Sequence, residues 1–203
     1  MKSLFLPLAL LTATALTVRA ADEPGFVPLF NGRDTSGWHL RNPSGHNSWK
    51  VEDGVLKNVV NKGEHGTDLV TDKKFLNFTV KYEYMVPDNS NSGFYLRGRH
   101  EIQILGDHPR GKTAMGGNGA LYNFKVPDQF VSKPAGEWQT CEATMIGNKI
   151  TVVMNGVKIH DNVELNKGTG GQLDDKVNEP GPILLQGDHG TVSFRNIRIK
   201  ELK

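Results

Sequence analysis

One cysteine, Cys141, is all that the 203-residue sequence contains, so no disulfide can close within the chain and stability must come from packing alone. Charge of one sign is also missing. Setting aside Lys2 and Arg19, which lie in the N-terminal segment discussed below, the chain holds 22 basic and 22 acidic residues. A neutral surface has no electrostatic footprint for nucleic acid or an anionic membrane, which excludes nucleic acid as a partner. The common catalytic signatures are absent too: there is no Gly-x-Ser-x-Gly elbow, no His-Glu-x-x-His, no phosphate-binding Gly-rich loop before a helix and no cysteine-based metal site. No window of a dozen residues carries helical spacing with caps, so a helical bundle is excluded. In their place stand 23 Gly and 10 Pro, enough to break one domain into many short elements.

The N-terminus reads as a targeting segment. Lys2 is followed by an apolar run from Leu4 to Val18, then by Val18-Arg19-Ala20 and the polar Ala21-Asp22-Glu23-Pro24. The run is broken by Pro7 and is short against the roughly 20 apolar residues of a membrane span. A basic start, an apolar core and small residues before a polar stretch predict a signal peptide over residues 1–20 with cleavage near Ala20. The expected product, residues 21–203, is one exported domain, periplasmic or secreted, with no membrane attachment.

Alternation with period two dominates the remainder. Phe78, Val80, Tyr82, Tyr84 and Val86 alternate with polar or flexible neighbours, a strand with one buried face. Asp53-Gly54, Asn155-Gly156 and Gly147-Asn148 each sit between two such runs and predict hairpins. Ile183–Gln186 and Thr191–Lys200, flanking Gly187-Asp188-His189-Gly190, read as a fourth. Short strands at close spacing predict an all-β sandwich or barrel. Two long Gly-rich loops, His108–Gly119 and Asn166–Pro182, are expected to border a cleft.

Chemistry concentrates in two places. In Asn91–Leu105, Phe94, Leu96, Ile102 and Ile104 are expected in the core, which would put Tyr95, Arg97, Glu101 and Gln103 on one open sheet face. Such a face offers the donors, acceptors and stacking surfaces that suit a sugar ring. In Leu185–Ile197, His189 lies in a tight turn where Gln186 and Arg195 are expected to approach it. Imidazole titrates near pH 6.5, so His189 is the candidate general base. Glu101, Gln103, Gln186 and His189 offer ligands suited to a divalent cation, although no spacing demands a cofactor.

The same segments carry a family resemblance. Phe30-Asn31-Gly32 with Gly37-Trp38, Asn91-Ser92-Gly93 through Glu101-Ile102-Gln103, Gly136-Glu137-Trp138, Asn155-Gly156, Gly181 to Gln186 with His189-Gly190, and Phe194-Arg195-Asn196-Ile197 resemble the 3-keto-disaccharide hydrolase family from about Gly25 to Leu202. The resemblance implies a jelly-roll-like sandwich of two antiparallel sheets, similar to concanavalin A-like lectins and glucanases. It also implies a site on the concave sheet and a small carbohydrate substrate already oxidised at C3. One departure is Gly187-Asp188 between Gln186 and His189, where a shorter link is expected.

Glucanases of that fold carry clustered carboxylates on one strand, whereas the comparable strand here reads Glu101-Ile102-Gln103. Gln103 can be neither nucleophile nor base, which disfavours the two-carboxylate mechanism. A ketone at C3 removes the need for it, because the C2 hydrogen becomes acidic and the C1 oxygen can leave by elimination. The expected roles are His189 as base at C2 and Glu101 as alternative base or proton donor. Arg97 and Arg195 would hold substrate or enolate oxygen, with Gln103 and Gln186 on sugar hydroxyls and Tyr95, Tyr122 and Trp138 as neighbours. A non-catalytic carbohydrate-binding module using the same face is the alternative from another class.

Overall fold

The computed structural model describes residues 23–61 and 63–203; the expected signal peptide lies outside them. Among the described residues there is no α-helix, only a 3₁₀ turn at His108–Arg110, and no helix is long and apolar enough to cross a membrane. Thirteen strands of the described residues form two antiparallel sheets. The larger holds β11 (Val157–Glu164), β10 (Lys149–Met154), β9 (Gln139–Ile146), β6 (Phe78–Met85), β13 (Val192–Glu201), β4 (Val55–Asn58) and β3 (Trp49–Glu52) in that spatial order, with β1 (Val27–Pro28) on the far half of β13. The smaller runs β2 (Trp38–Leu40), β5 (Leu69–Thr71), β12 (Leu184–Leu185), β7 (Asn91–Leu96) and β8 (His100–Leu105).

The alternating pattern is realised in β6: Phe78, Val80, Tyr82 and Tyr84 are buried, while Lys81 and Glu83 lie half-buried on the outer face. Against them pack Phe94, Leu96, Ile102 and Ile104 from the smaller sheet, and Tyr82 stacks on Phe94 at 3.8 Å between ring centroids. Cys141 is in this core, and burial pushes its thiol up to about 12, so it is inert packing.

Three of the four expected hairpins form. Asp53-Gly54 and Asn155-Gly156 have positive φ at both central residues, as a type I′ turn requires, and join β3 to β4 and β10 to β11; Gly147-Asn148 joins β9 to β10. The fourth does not. β12 pairs with β5 and β7 in the smaller sheet, while β13 pairs with β4 and β6 in the larger one. The segment Gln186–Thr191 therefore crosses from one sheet to the other. Period-two alternation says which residues share a face, not which sheet a strand joins, so the turn residues alone pointed to the wrong partner.

Arg97 is also not where alternation places it. It follows the end of β7 with φ 52°, and Gly98 has φ 65°, so the chain turns there and the Arg97 side chain leaves the open face. It is fully buried, donating from Nε and Nη2 to the carbonyl of Leu76 (2.8 and 2.5 Å), from Nη1 to that of Val177 (3.0 Å) and from Nη2 to that of Gly147 (2.7 Å). Its neighbour Arg99 holds Asp174 through two bonds, Nε–Oδ1 2.6 Å and Nη2–Oδ2 3.2 Å. Both arginines tie down the loop of residues 166–182. That loop lies across the outer face of the smaller sheet, with Leu173 packed on Val70, Tyr95 and Leu184.

Candidate active site

The outer face of the smaller sheet carries a polar row across its strands. Gln103 of β8 lies opposite Gly93 of β7, the Gly93 carbonyl accepts from Gln186 N at 2.9 Å, and Arg41 N donates to the Asp68 carbonyl at 2.8 Å. Over this row opens a cleft of about 200 Å³, lined by Asn91, Tyr95, Glu101, Gln103, Tyr122, Gln186 and His189 with the backbone of Gly170 and Gly171. Both Gly-rich loops border it: Gly170 and Gly171 belong to the second, and the carbonyl of Gly116 in the first accepts from Gln103 Nε2 at 3.3 Å. Six of the nine expected residues, His189, Glu101, Gln103, Gln186, Tyr95 and Tyr122, thus meet in one place.

Glu101 is the buried carboxyl of this cleft. The side chain is 2% exposed, and Oε2 accepts from the Tyr95 hydroxyl at 2.8 Å. Burial raises its pKa to about 7, aided by the carboxylates of Asp68 and Asp188 and opposed by the Tyr95 hydrogen bond and by His189. Its backbone N–H donates to Thr169 Oγ1 at 2.8 Å, which anchors the covering loop to the strand that presents the carboxyl. Tyr95 itself is not an open stacking surface. Its ring is packed against Val70 and Leu184, and its hydroxyl serves Glu101.

The carboxyl can lie flat against β7 only because residue 93 has no side chain. A Cβ at Gly93 would sit 2.2 Å from Glu101 Oε1. Gly93→Ala is expected to push the carboxyl out of its position, costing about 1–3 kcal/mol by overpacking and most of the activity. Urea unfolding together with turnover checks this, and a variant as active as wild type would show that the carboxyl position is not critical.

Glu101 also makes stability depend on pH. Its folded value of about 7 lies above its ordinary 4.5, so the folded chain holds this proton more tightly than the unfolded one. The contribution is present in full below 4.5 and is lost as pH rises through 7. Glu101→Gln should therefore match wild type in urea at pH 4 and exceed it at pH 8, by about 1–3 kcal/mol. Equal midpoints at pH 8 would contradict the buried carboxylate.

Gln103 donates from Nε2 to Asn91 Oδ1 at 3.1 Å, and its Oε1 is buried with no hydrogen-bond partner among the described residues; the same is true of Gln186 Oε1. Two buried acceptors lacking a donor, in one polar cleft, suit hydroxyl groups of a ligand. His189 stands at the rim with about half its side chain exposed, and its Nδ1 bonds to the Asp188 carboxylate. A carboxylate at Nδ1 fixes the tautomer and leaves Nε2 as the basic nitrogen. Asp188, part of the departure from the family pattern, thus holds His189, as Asn91 holds Gln103 and Gly93 makes room for Glu101. Sequence reasoning missed these roles; the signal was their place beside Gln186, His189 and the expected strands. Among the described residues no three or more His, Cys, Asp or Glu converge as a metal-binding group.

Arg97, Arg195 and Trp138 lie elsewhere. Arg195 projects from β13 on the outer face of the larger sheet, where Nε donates to Glu83 Oε2 at 2.7 Å and the guanidinium lies 4.0 Å from the Trp138 ring centre. Phe194 beside it enters the core, so alternation forces Arg195 outward, away from the smaller sheet. Neither arginine lines the cleft.

Two crystal structures of candidate glycosyl hydrolases from Parabacteroides distasonis ATCC 8503 are similar to this chain. One is 29% identical over 88% of this chain and 84% of its own (TM-score 0.72), the other 25% identical over 88% and 95% (TM-score 0.72). A laminarinase from Flavobacterium sp. UMI-01, 11% identical over 86% and 98% with a TM-score of 0.56, shares the fold. No curated protein matches the chain significantly. The sequence profile of the 3-keto-alpha-glucoside-1,2-lyase-like domain matches residues 25–200, spanning both sheets and every residue of the cleft, and the chain belongs to that family.

Proposed function

We propose that the cleft cleaves a 3-keto-glycoside by elimination across C1 and C2. The observation that supports this is the pairing of one buried carboxyl, Glu101 at about 7, with one histidine, while the two carboxylates that also act on Glu101 are engaged elsewhere, Asp188 with His189 Nδ1 and Asp68 with Gly187 N and Arg41. That set is poor for ordinary glycoside hydrolysis, which needs two carboxyl groups. It suits a substrate whose ketone makes a carbon acid.

His189 Nε2 takes the proton from C2, and the electron pair left behind forms the C1–C2 double bond through the enolate of the C3 ketone. The C1–O bond breaks with its electrons on oxygen, and Glu101, protonated near neutral pH, delivers a proton to that oxygen as it leaves. Water adding back across the unsaturated ketone then gives net hydrolysis. Both proton transfers are general acid–base steps, each contributing typically about 10²–10⁴-fold. With Arg97 and Arg195 outside the cleft, the Gln186 and Asn91 amides and the Tyr122 hydroxyl are neutral donors that its lining offers to the enolate oxygen.

The test is incubation of purified protein with a 3-keto-glucoside and with its unoxidised parent, each with and without a chelator. Turnover of the ketone alone is expected. Equal turnover of both would restore the two-carboxylate mechanism, and saturable binding without turnover of either would make this a carbohydrate-binding module. Loss of turnover with chelator, restored by a divalent cation, would show that turnover needs that cation.

A further inference from the structure

Asn58 is a polar side chain in the wrong place for a sandwich interior. It ends β4 of the larger sheet, follows the buried Leu56 on the inward face, and is itself fully buried. Its amide reaches the crossing segment that carries His189. Nδ2 donates to the carbonyl of Gly187 at 2.9 Å and to that of Gly190 at 2.8 Å, the residues flanking Asp188-His189. Carbonyls only accept, so the NH₂ end must face them, and the Ser48 hydroxyl, donating to Asn58 Oδ1 at 2.5 Å, locks that orientation. The segment is seated tightly around this clamp: Gly187 N donates to Asp68 Oδ1 at 3.0 Å, and a Cβ at Gly187 would lie 2.8 Å from Trp49 Nε1.

From this geometry we infer that Asn58 is a positioning residue for His189, acting from the opposite sheet through the two carbonyls that bracket the Asp188–His189 pair. Gly187 and Gly190 are the two ends of a short bridge, and one amide holding both sets the bridge's span. Asp188 and His189 project from its middle, so its span decides where the imidazole stands relative to Glu101, which a different strand, β8, presents. Catalytic groups drawn from a strand and from a crossing segment must be held to a fraction of an ångström, and a shift of about 1 Å costs on the order of 10²-fold in rate. A clamp from the larger sheet supplies that constraint where the smaller sheet ends.

The inference rests on His189 being the base, and the experiment separates the two. Asn58→Ala and the milder Ser48→Ala are compared with wild type, His189→Ala and the double variant Asn58→Ala/His189→Ala, using kcat and KM on a 3-keto-glucoside and the His189 ring signals in ¹H–¹³C NMR spectra. Asn58→Ala is expected to lower kcat about 10- to 100-fold with KM within about twofold, to shift or broaden the His189 signals, and to cost nothing further once His189 is gone. Ser48→Ala should move both readouts the same way by less, and keeps the test open if Asn58→Ala folds poorly. His189 signals identical to wild type in either folded variant, or losses that multiply in the double variant, would overturn the clamp. Full activity of His189→Ala would instead remove the base assignment, and the ring signals would still decide whether Asn58 sets the segment.

Discussion

Replacing His189 by Ala is expected to cut turnover of a 3-keto-glucoside by about 10²–10⁴-fold whatever the leaving group, because the C2 proton then has no base. Replacing Glu101 by Gln should do so only selectively. Gln keeps the shape and can still accept from Tyr95, but it has no proton to give. A sugar alkoxide needs that proton as it leaves, whereas a nitrophenolate does not. Glu101→Gln should therefore lose about 10²–10³-fold on a 3-keto-disaccharide and much less on the nitrophenyl 3-keto-glucoside. Rate against pH carries the same signature. The acid must be protonated, so wild-type activity on the disaccharide should fall as pH rises through about 7, and this limb should vanish in Glu101→Gln. Because Glu101 and His189 interact, the observed limbs belong to the pair. A His189→Ala variant of normal activity, or equal losses by Glu101→Gln on both leaving groups, would break the assignment of roles.

Arg97→Ala is expected to cost about 3–5 kcal/mol of stability, read as the shift in urea midpoint. The guanidinium is buried with no carboxylate among its hydrogen-bond partners, and its donors satisfy three carbonyls, Leu76, Val177 and Gly147, on three separate loops. Truncation leaves those carbonyls in the interior without donors, opens a cavity and frees one end of the segment covering the cleft. Arg97→Lys should recover little, since an ammonium cannot span the same carbonyls from the planar fork of an arginine. This is the reverse of what a catalytic arginine would show. A variant of wild-type stability with a large loss of kcat would return Arg97 to the active site.

The strand pattern, three of four hairpins and the core of β6, β7 and β8 were legible because each depends on local chemistry: alternation for burial, and Asn-Gly or Asp-Gly for turns with positive φ. The cleft was legible in large part for the same reason, since Glu101, Gln103 and Tyr95 lie at outward positions of strands whose inward residues are plainly apolar, and Gln186 directly follows such a strand. Failure came where a residue leaves the strand or the strand changes sheet. Arg97 continues the alternation on paper, yet the turn at residues 97–98 swings it into the interior. Arg195 sits two residues past Ser193 in a segment that looked like the return arm of a hairpin and belongs to the other layer.

What the sequence by itself determined, then, is the all-β class, the faces of most strands and the outward placing of Glu101 and Gln103 on one of them. These follow from short-range sterics and from residue type. Tertiary structure alone decided which sheet receives each strand after a crossing, which arginines are buried or turned outward from the cleft, and that Gly93 meets Glu101 while Asp188 and Asn58 meet the His189 segment. Such relations join residues as far apart in the chain as Asn58 and Gly190. They are set by competition among long-range packings that no local pattern encodes, because period two is satisfied equally well in either sheet.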